Sequence, residues 1–297
     1  MTAQAKDSVV RVATITQDGI GRGEIEETFE RMERACYRET DVVCLPECFL
    51  GEDPVTYSSP GVERVRAWAK AKSCYIICAV TTAVDGRNHN SAIVIDRSGE
   101  VIGRYDKIHP TESELERGIC PGDLDPPVFA CDFGIIGIQI CFDVNWDKRW
   151  HRLKEKGAKI VFWPSAYPAD RQLACHAWKN QYYVASATTT RDSRIYDITG
   201  KVLSRSGFWG PWTEACLNLG KRLFETDFHM DKMHALQRKY GDRVSVEWIH
   251  DEDWFTLASS DPQVSVQDLI QEFELLPVTE YHQRCELAQD RERGKLT

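Results

Sequence analysis

The first half of the chain switches repeatedly between two hydrophobic periods. VVRVATITQ reads as a strand, and the following EIEETFERMERACYRET sets Ile25, Phe29, Met32 and Cys36 at spacings of four, three and four, one apolar face of a helix. DVVCLPE then predicts a short buried strand that stops at Pro46, and VERVRAWAKAK a second helix. CYIICAVTTAV, SAIVIDRSG and EVIGRYDKI predict three successive strands joined at Asp85-Gly86 and Ser98-Gly99, so the sheet turns antiparallel there. After the loop CPGDLDPP the alternation resumes. PVFACDF and GIIGIQIC predict strands, Asn145 to Lys156 a helix, AKIVFWP a strand, Arg171 to Gln181 a helix, and YYVASATTT a strand. This is the pattern of a layered α/β domain. From about Leu223 the pattern weakens, with one helix predicted at HMDKMHALQRKYG. Residues 1–285 are therefore expected to form a single domain with a C-terminal extension from about 223. Residues 286–297 are expected to form a flexible tail, frayed at RERGKLT where little can be buried.

Composition narrows the partners. The 297 residues are 42% hydrophobic, enough for a sizeable core, and carry a formal net charge of -9, which repels a phosphate backbone or an anionic membrane. No apolar run approaches the roughly 20 residues that span a bilayer, and MTAQAKDSVV lacks the apolar stretch of a secretory signal. A cytoplasmic protein without nucleic-acid or membrane partners is expected. The eleven cysteines then read as reduced thiols, and Cys78 and Cys216, which lie inside apolar runs, as small core residues.

Three segments join a strand end, a turn and a reactive side chain, the place where α/β sheets carry their sites. In VVCLPECF, Glu47 follows an apolar strand and a proline, where partial desolvation suits a carboxylate to proton transfer. In GRYDKIHPTESELERG, Lys107 leaves a strand just before a cluster of acids. In GIIGIQICFDVNWD, an apolar strand delivers Cys141 to a polar turn before a helix, where N–H groups can lower a thiol from its usual pKa of ~8.5 and hold an oxyanion. Taken singly, each also fits an ordinary structural role: a loop charge, a strand-end lysine, an inert core thiol.

Together, LPECF, YDKIHP and GIQICFDVNW resemble, in order and separation, the three active-site segments of the nitrilase-like carbon-nitrogen hydrolase superfamily. AKIVFWPSAYP and SRIYDITGKVLSRSG are similar to further strands of that family. The resemblance implies a four-layer α-β-β-α sandwich, a homodimer or higher homo-oligomer, and no cofactor or metal. It also implies Glu47 as general base, Lys107 as oxyanion stabiliser and Cys141 as nucleophile, acting on a small-molecule amide or N-carbamoyl compound. A second glutamate past the lysine is common in the family, and the PTxxE spacing selects Glu114, with Glu116 second. The aromatics Phe142, Trp146, Trp163 and Tyr167 are candidates for a substrate pocket, or equally for core.

Departures shape the substrate expectation. Nitrilases follow the nucleophile with Trp-Glu, whereas Phe142-Asp143 is closer to the amidase and carbamoylase branches, so nitrile hydrolysis is the alternative activity and a silent interaction protein another. Carbamoylases often place arginines just past the nucleophile; here stand Val144, Asn145 and Trp146, leaving Arg149 or a residue elsewhere to bind a carboxylate. A papain-like scheme would draw on His109, His151 or His176, and a zinc site on Cys44 and Cys48 or His229 and His234, none in a matching motif.

Overall fold

The computed structural model describes residues 9–19, 25–190 and 192–294. They form two compact units, one spanning Val10–Leu217 and the other drawn mainly from Asn218 onward.

In the larger unit the elements run β1 (Val9–Ile15), α1 (Ile25–Ala35), β2 (Val42–Cys44), α2 (Pro60–Lys72), β3 (Tyr75–Val84), β4 (Arg87–Ile95), β5 (Val101–Asp106), α3 (Glu112–Glu116), β6 (Val128–Cys131) and β7 (Gly134–Ile138). A 3-10 helix, Cys141–Asn145, leads into α4 (Asp147–Glu155), β8 (Ile160–Ser165), α5 (Asp170–Asn180), β9 (Tyr183–Thr188), β10 (Arg194–Tyr196), β11 (Val202–Arg205) and β12 (Trp212–Asn218). Two six-stranded sheets result, ordered β12-β1-β2-β3-β4-β5 and β11-β10-β9-β8-β7-β6. In the first, β1, β2 and β3 run parallel and the hairpins to β4 and β5 antiparallel. In the second, β7, β8 and β9 are parallel. At the β3–β4 turn both Asp85 and Gly86 take positive φ, 50° and 74°, the backbone twist that an Asp-Gly hairpin supplies.

Each sheet buries both faces. On the first, Phe29 and Met32 of α1 and Val62, Val65 and Trp68 of α2 cover Ala13, Val43, Ile76 and Ile93. On the second, Trp150 and Leu153 of α4 and Leu173 and Ala177 of α5 cover Val161, Trp163 and Val184. Residues of the opposite parity, Val42, Cys44, Ile77 and Val94 on one sheet and Ile138, Ile160 and Phe162 on the other, are equally buried where the sheets face each other. Polar bonds cross that interface, including Thr16 to Ser193 at 2.7 Å and the Asp132 N–H to Tyr75 Oη at 3.2 Å. This is the α-β-β-α sandwich expected from the sequence. Among the described residues no helix is long and apolar enough to cross a membrane. One core assignment changes: Cys78 is fully buried, but Cys216 is exposed, because β12 is an edge strand and turns that side chain outward.

The smaller unit is better ordered than its sequence pattern suggests. β13 (Arg222–Glu225), β14 (Val244–Ile249) and β15 (Trp254–Ser259) form an antiparallel sheet with β15 in the centre, accompanied by α6 (Met230–Tyr240), α7 (Val266–Glu272) and α8 (Val278–Glu292). Its own core gathers Phe224, Met233, Leu236, Phe255, Leu257 and Leu269. The helix predicted at HMDKMHALQRKYG is α6. The stretch read as a tail is helical through Glu292, and residues 295–297 lie outside the described residues.

Candidate active site

Four of the predicted residues converge. Lys107, just past β5, is 1% exposed, and its Nζ donates to Glu47 Oε1 at 3.1 Å and to Glu114 Oε1 and Oε2 at 3.0 and 2.8 Å. Cys141 opens on the same cavity of about 400 Å³, which Glu47, Lys107, Glu114 and Asn90 also line. One cation thus serves two buried carboxylates. Its ammonium is held above the usual lysine range: burial opposes the charge, but the charges of Glu47, of Cys141 once ionised, and of Glu114 outweigh it. Burial alone would raise Glu114, yet the charge of Lys107 and bonds from Lys107, the Thr111 backbone and Asn90 leave its carboxyl below the ordinary value of 4.5.

The PTESE sequence explains which acid is chosen. Thr111 caps α3, accepting from the Glu114 N–H at 3.3 Å, while Glu114 Oε2 accepts from the Thr111 N–H at 2.8 Å. The capping box turns the Glu114 side chain back toward Lys107, while Glu116 remains exposed. Lys107 is further fixed by Gly122, whose N–H donates to the Lys107 carbonyl at 2.9 Å. A Cβ at Gly122 would lie 2.2 Å from the Asp106 carbonyl oxygen, so only glycine permits this approach.

The sequence reading missed Asn90. This buried residue of β4 donates from Nδ2 to Glu47 Oε1 at 2.7 Å and to Glu114 Oε1 at 2.8 Å, tying the two carboxylates together. Glu47 Oε1 therefore carries two bonds, while its buried Oε2 has no hydrogen-bond partner among the described residues.

Cys141 sits at φ 47°, in the left-handed region that a non-glycine residue occupies at a cost of order 1–3 kcal/mol and keeps only where its surroundings enforce it. Here they do. The carbonyls of four consecutive residues are each met by a side-chain N–H: Cys141 by Trp163 at 3.0 Å, Phe142 by Asn145 at 2.9 Å, Asp143 by Trp150 at 3.1 Å and Val144 by His176 at 2.8 Å. Asp143 anchors the turn from below. Its fully buried carboxylate accepts from Tyr105 Oη at 2.7 Å, the His109 N–H at 2.8 Å, His109 Nδ1 at 2.9 Å and the Ile140 N–H at 3.0 Å. Tyr105 and His109 flank Lys107, and Ile140 precedes Cys141, so one carboxylate sets the cation's segment against the thiol's. Asp143→Asn places an amide N–H₂ against two of these donors. We expect a destabilisation of about 2–4 kcal/mol, measured by chemical denaturation.

The thiol does not behave as the turn alone suggests. Burial and the neighbouring Glu47 charge push Cys141 up to about 12, with Lys107 and the Ser165–Ala166 turn pulling only partly against them. At neutral pH it rests as a thiol.

The predicted pocket aromatics divide differently. Trp163 is fully buried in the core beneath Cys141, on the helix-covered face of β8, and holds the Cys141 carbonyl without lining the cavity. Phe142 and Trp146, each 37% exposed, pack edge to face, with Trp146 stacked on His109; neither lines the cavity. Tyr167 is half-buried against Trp163, also outside the lining set, though close enough to Cys141, Lys107 and Glu47 for their charges to act on its hydroxyl.

None of His109, His151 and His176 lines the cavity either. His229 is committed elsewhere, donating from Nδ1 to the Glu225 carbonyl at 2.7 Å and accepting from the Leu276 N–H at 3.0 Å. Among the described residues no group of three or more His, Cys, Asp or Glu is placed to hold a metal ion.

Known proteins share this architecture. The solved structure of Nit3 from Saccharomyces cerevisiae, of the nitrilase superfamily, superposes with a TM-score of 0.64 at 17% identity, over 82% of this chain and 98% of that one. An amidase from Nesterenkonia sp. does so at 0.62 and 18% identity, over 80% and 97%. In sequence, the chain is 26% identical over 222 residues to an omega-amidase of Xenopus tropicalis, covering 64% of this chain and 79% of that protein. It is 28% identical over 166 residues to a hydrolase of Pseudomonas protegens, where the match takes in half of this chain and only 58% of the relative. The carbon-nitrogen hydrolase profile matches residues 11–215, a span that holds both six-stranded sheets' central strands and the whole Glu47–Lys107–Glu114–Cys141 cluster. On that match the chain belongs to the carbon-nitrogen hydrolase family.

Proposed function

We propose that this chain hydrolyses the carbon-nitrogen bond of a small-molecule amide through a thioester on Cys141. The observation that carries this reading is the convergence of Glu47, Lys107 and Cys141, from three distant stretches of sequence, on one cavity. Relatives named as amidases, among them the Xenopus tropicalis omega-amidase and a deaminated glutathione amidase of Dictyostelium discoideum, support the amide class.

The chemistry follows from the resting state. Glu47 takes the thiol proton as sulfur attacks the carbonyl carbon, giving a tetrahedral oxyanion held by Lys107 and the Phe142 N–H. Glu47 then returns that proton to the nitrogen as the C–N bond breaks, leaving an acyl thioester and free ammonia or amine. Water enters and loses a proton to Glu47 as its oxygen attacks the thioester. Collapse releases the acid and restores the thiol. Glu114 and Asn90 are positioning residues that hold Lys107 and Glu47 in register. N-carbamoyl compounds present the same carbonyl flanked by nitrogen and fit the same steps.

Glu47→Gln separates the roles of charge and base. Turnover, read as ammonia release from a panel of primary amides, is expected to fall by about 10²–10⁴-fold. The Cys141 thiol is expected to titrate lower than in the wild type, because the anion opposing its ionisation is gone. Iodoacetamide labelling against pH reads this directly: the alkaline rise in rate moves to lower pH in the variant. A Glu47→Gln enzyme with undiminished turnover would remove Glu47 from the mechanism.

A further inference from the structure

Two charged side chains of the cavity take no part in the cluster around Lys107. Glu52 and Arg117 both line it and pair with each other across 3.3 Å, with side chains 54% and 53% exposed. Arg117 caps the C-terminus of α3, three residues after Glu114. That places it one helical turn, about 5–6 Å between Cβ atoms, from the carboxylate that holds Lys107. Other lining residues such as Pro54, Thr81, Ile119 and Ala166 carry no charge. Arg149, the arginine nearest the nucleophile in sequence, lines a different groove.

The charges lining the cavity are three carboxylates (Glu47, Glu52, Glu114) against two cations (Lys107, Arg117), a sum of -1. A substrate with a lone carboxylate enters against that balance. An uncharged one leaves the outer pair unused. An ion pair this exposed is weak, so a ligand that brings both partners can exchange with it at little loss. Because the two protein charges sit side by side, the matching ligand carries its own two charges side by side.

We propose that Glu52 and Arg117 form a head-group subsite for the ammonium and carboxylate of a free α-amino acid, so that the bond cleaved at Cys141 is that of its side-chain carboxamide. This rests on the amide-hydrolase reading above. L-Asparagine and L-glutamine are the free α-amino acids whose side chains end in a carboxamide.

Four probes with matched acyl chains test it on the full-length enzyme: L-glutamine, glutaramic acid lacking the ammonium, 4-aminobutyramide lacking the carboxylate, and butyramide lacking both. The expected result is a kcat/KM for L-glutamine about tenfold above each singly charged analogue, the size of one charge-assisted hydrogen bond. Glu52→Gln collapses the ratio of L-glutamine to glutaramic acid toward one, and Arg117→Gln that of L-glutamine to 4-aminobutyramide. Equal turnover of all four, or a preference for glutaramic acid or butyramide, overturns the subsite while leaving amide hydrolysis in place. Absence of ammonia from every amide overturns both.

Discussion

Cys141→Ala is expected to lose amide turnover by roughly 10⁴- to 10⁶-fold, as enzymes do when a covalent nucleophile is deleted. Its fold should survive. The side chain is small, 8% exposed, and alanine removes one sulfur from a residue whose carbonyl is held by Trp163, in a turn that Trp150 and His176 hold at Asp143 and Val144. A stability change within about 1 kcal/mol is therefore expected. Paired ammonia-release kinetics and thermal melting separate the two quantities. Loss of activity with an unchanged melt assigns the chemistry to the sulfur, whereas turnover near the wild-type level would place the nucleophile elsewhere.

Lys107→Met carries the second large effect, on stability and catalysis together. The methionine fills similar volume but leaves Glu47 and Glu114 buried, sharing only Asn90. Removing one partner of a buried charge cluster typically destabilises by about 3–5 kcal/mol. On the proposed mechanism, losing the cation that holds the oxyanion is expected to remove a further factor of roughly 10²–10³ from kcat.

The pH dependence reverses as well. In the wild type the Glu114 carboxyl lies below its ordinary 4.5, so its stabilisation is complete above that value and is lost as pH falls through the depressed one. Without Lys107, burial dominates and raises the same carboxyl. The folded variant then binds a proton more tightly than the unfolded chain, so its stability improves on acidification. Denaturation at pH 7 and pH 5 reads the sign: the deficit of Lys107→Met relative to wild type shrinks at pH 5. A deficit independent of pH would mean that Glu114 is not held by this cation.

Much of this was legible in the chain because each reactive residue interrupts an apolar run. VVCLPE and GIIGIQIC are apolar runs that end at Glu47 and Cys141, each three residues past the end of its strand, and Thr111 to Glu114 spells a capping box. Asn90 was not legible. It lies in the polar opening RNHN of β4, outside the apolar run that announces the strand, and its partners are 43 and 24 residues away. Asp143 marked a branch of the family by its identity, but its donors at Tyr105 and His109 lie 38 and 34 residues upstream, a pairing set only by the meeting of two sheets. Strand parity does place Trp163 with Val161 on the helix-covered face of β8, so period two separates it from the cavity where aromatic character alone does not. The smaller unit escaped because β14 is half-buried along nearly its whole length, leaving no clean alternation to read.

The acyl-enzyme itself is the most direct object to measure. Rapid acid quenching of the wild-type enzyme with an excess of the best amide, followed by intact mass and peptide mapping, should show one acyl increment on the peptide holding Cys141, formed with a burst of ammonia. Cys48 lines the same cavity and supplies an internal control. An increment on Cys48, or turnover that persists in Cys141→Ala, would contradict the thioester mechanism.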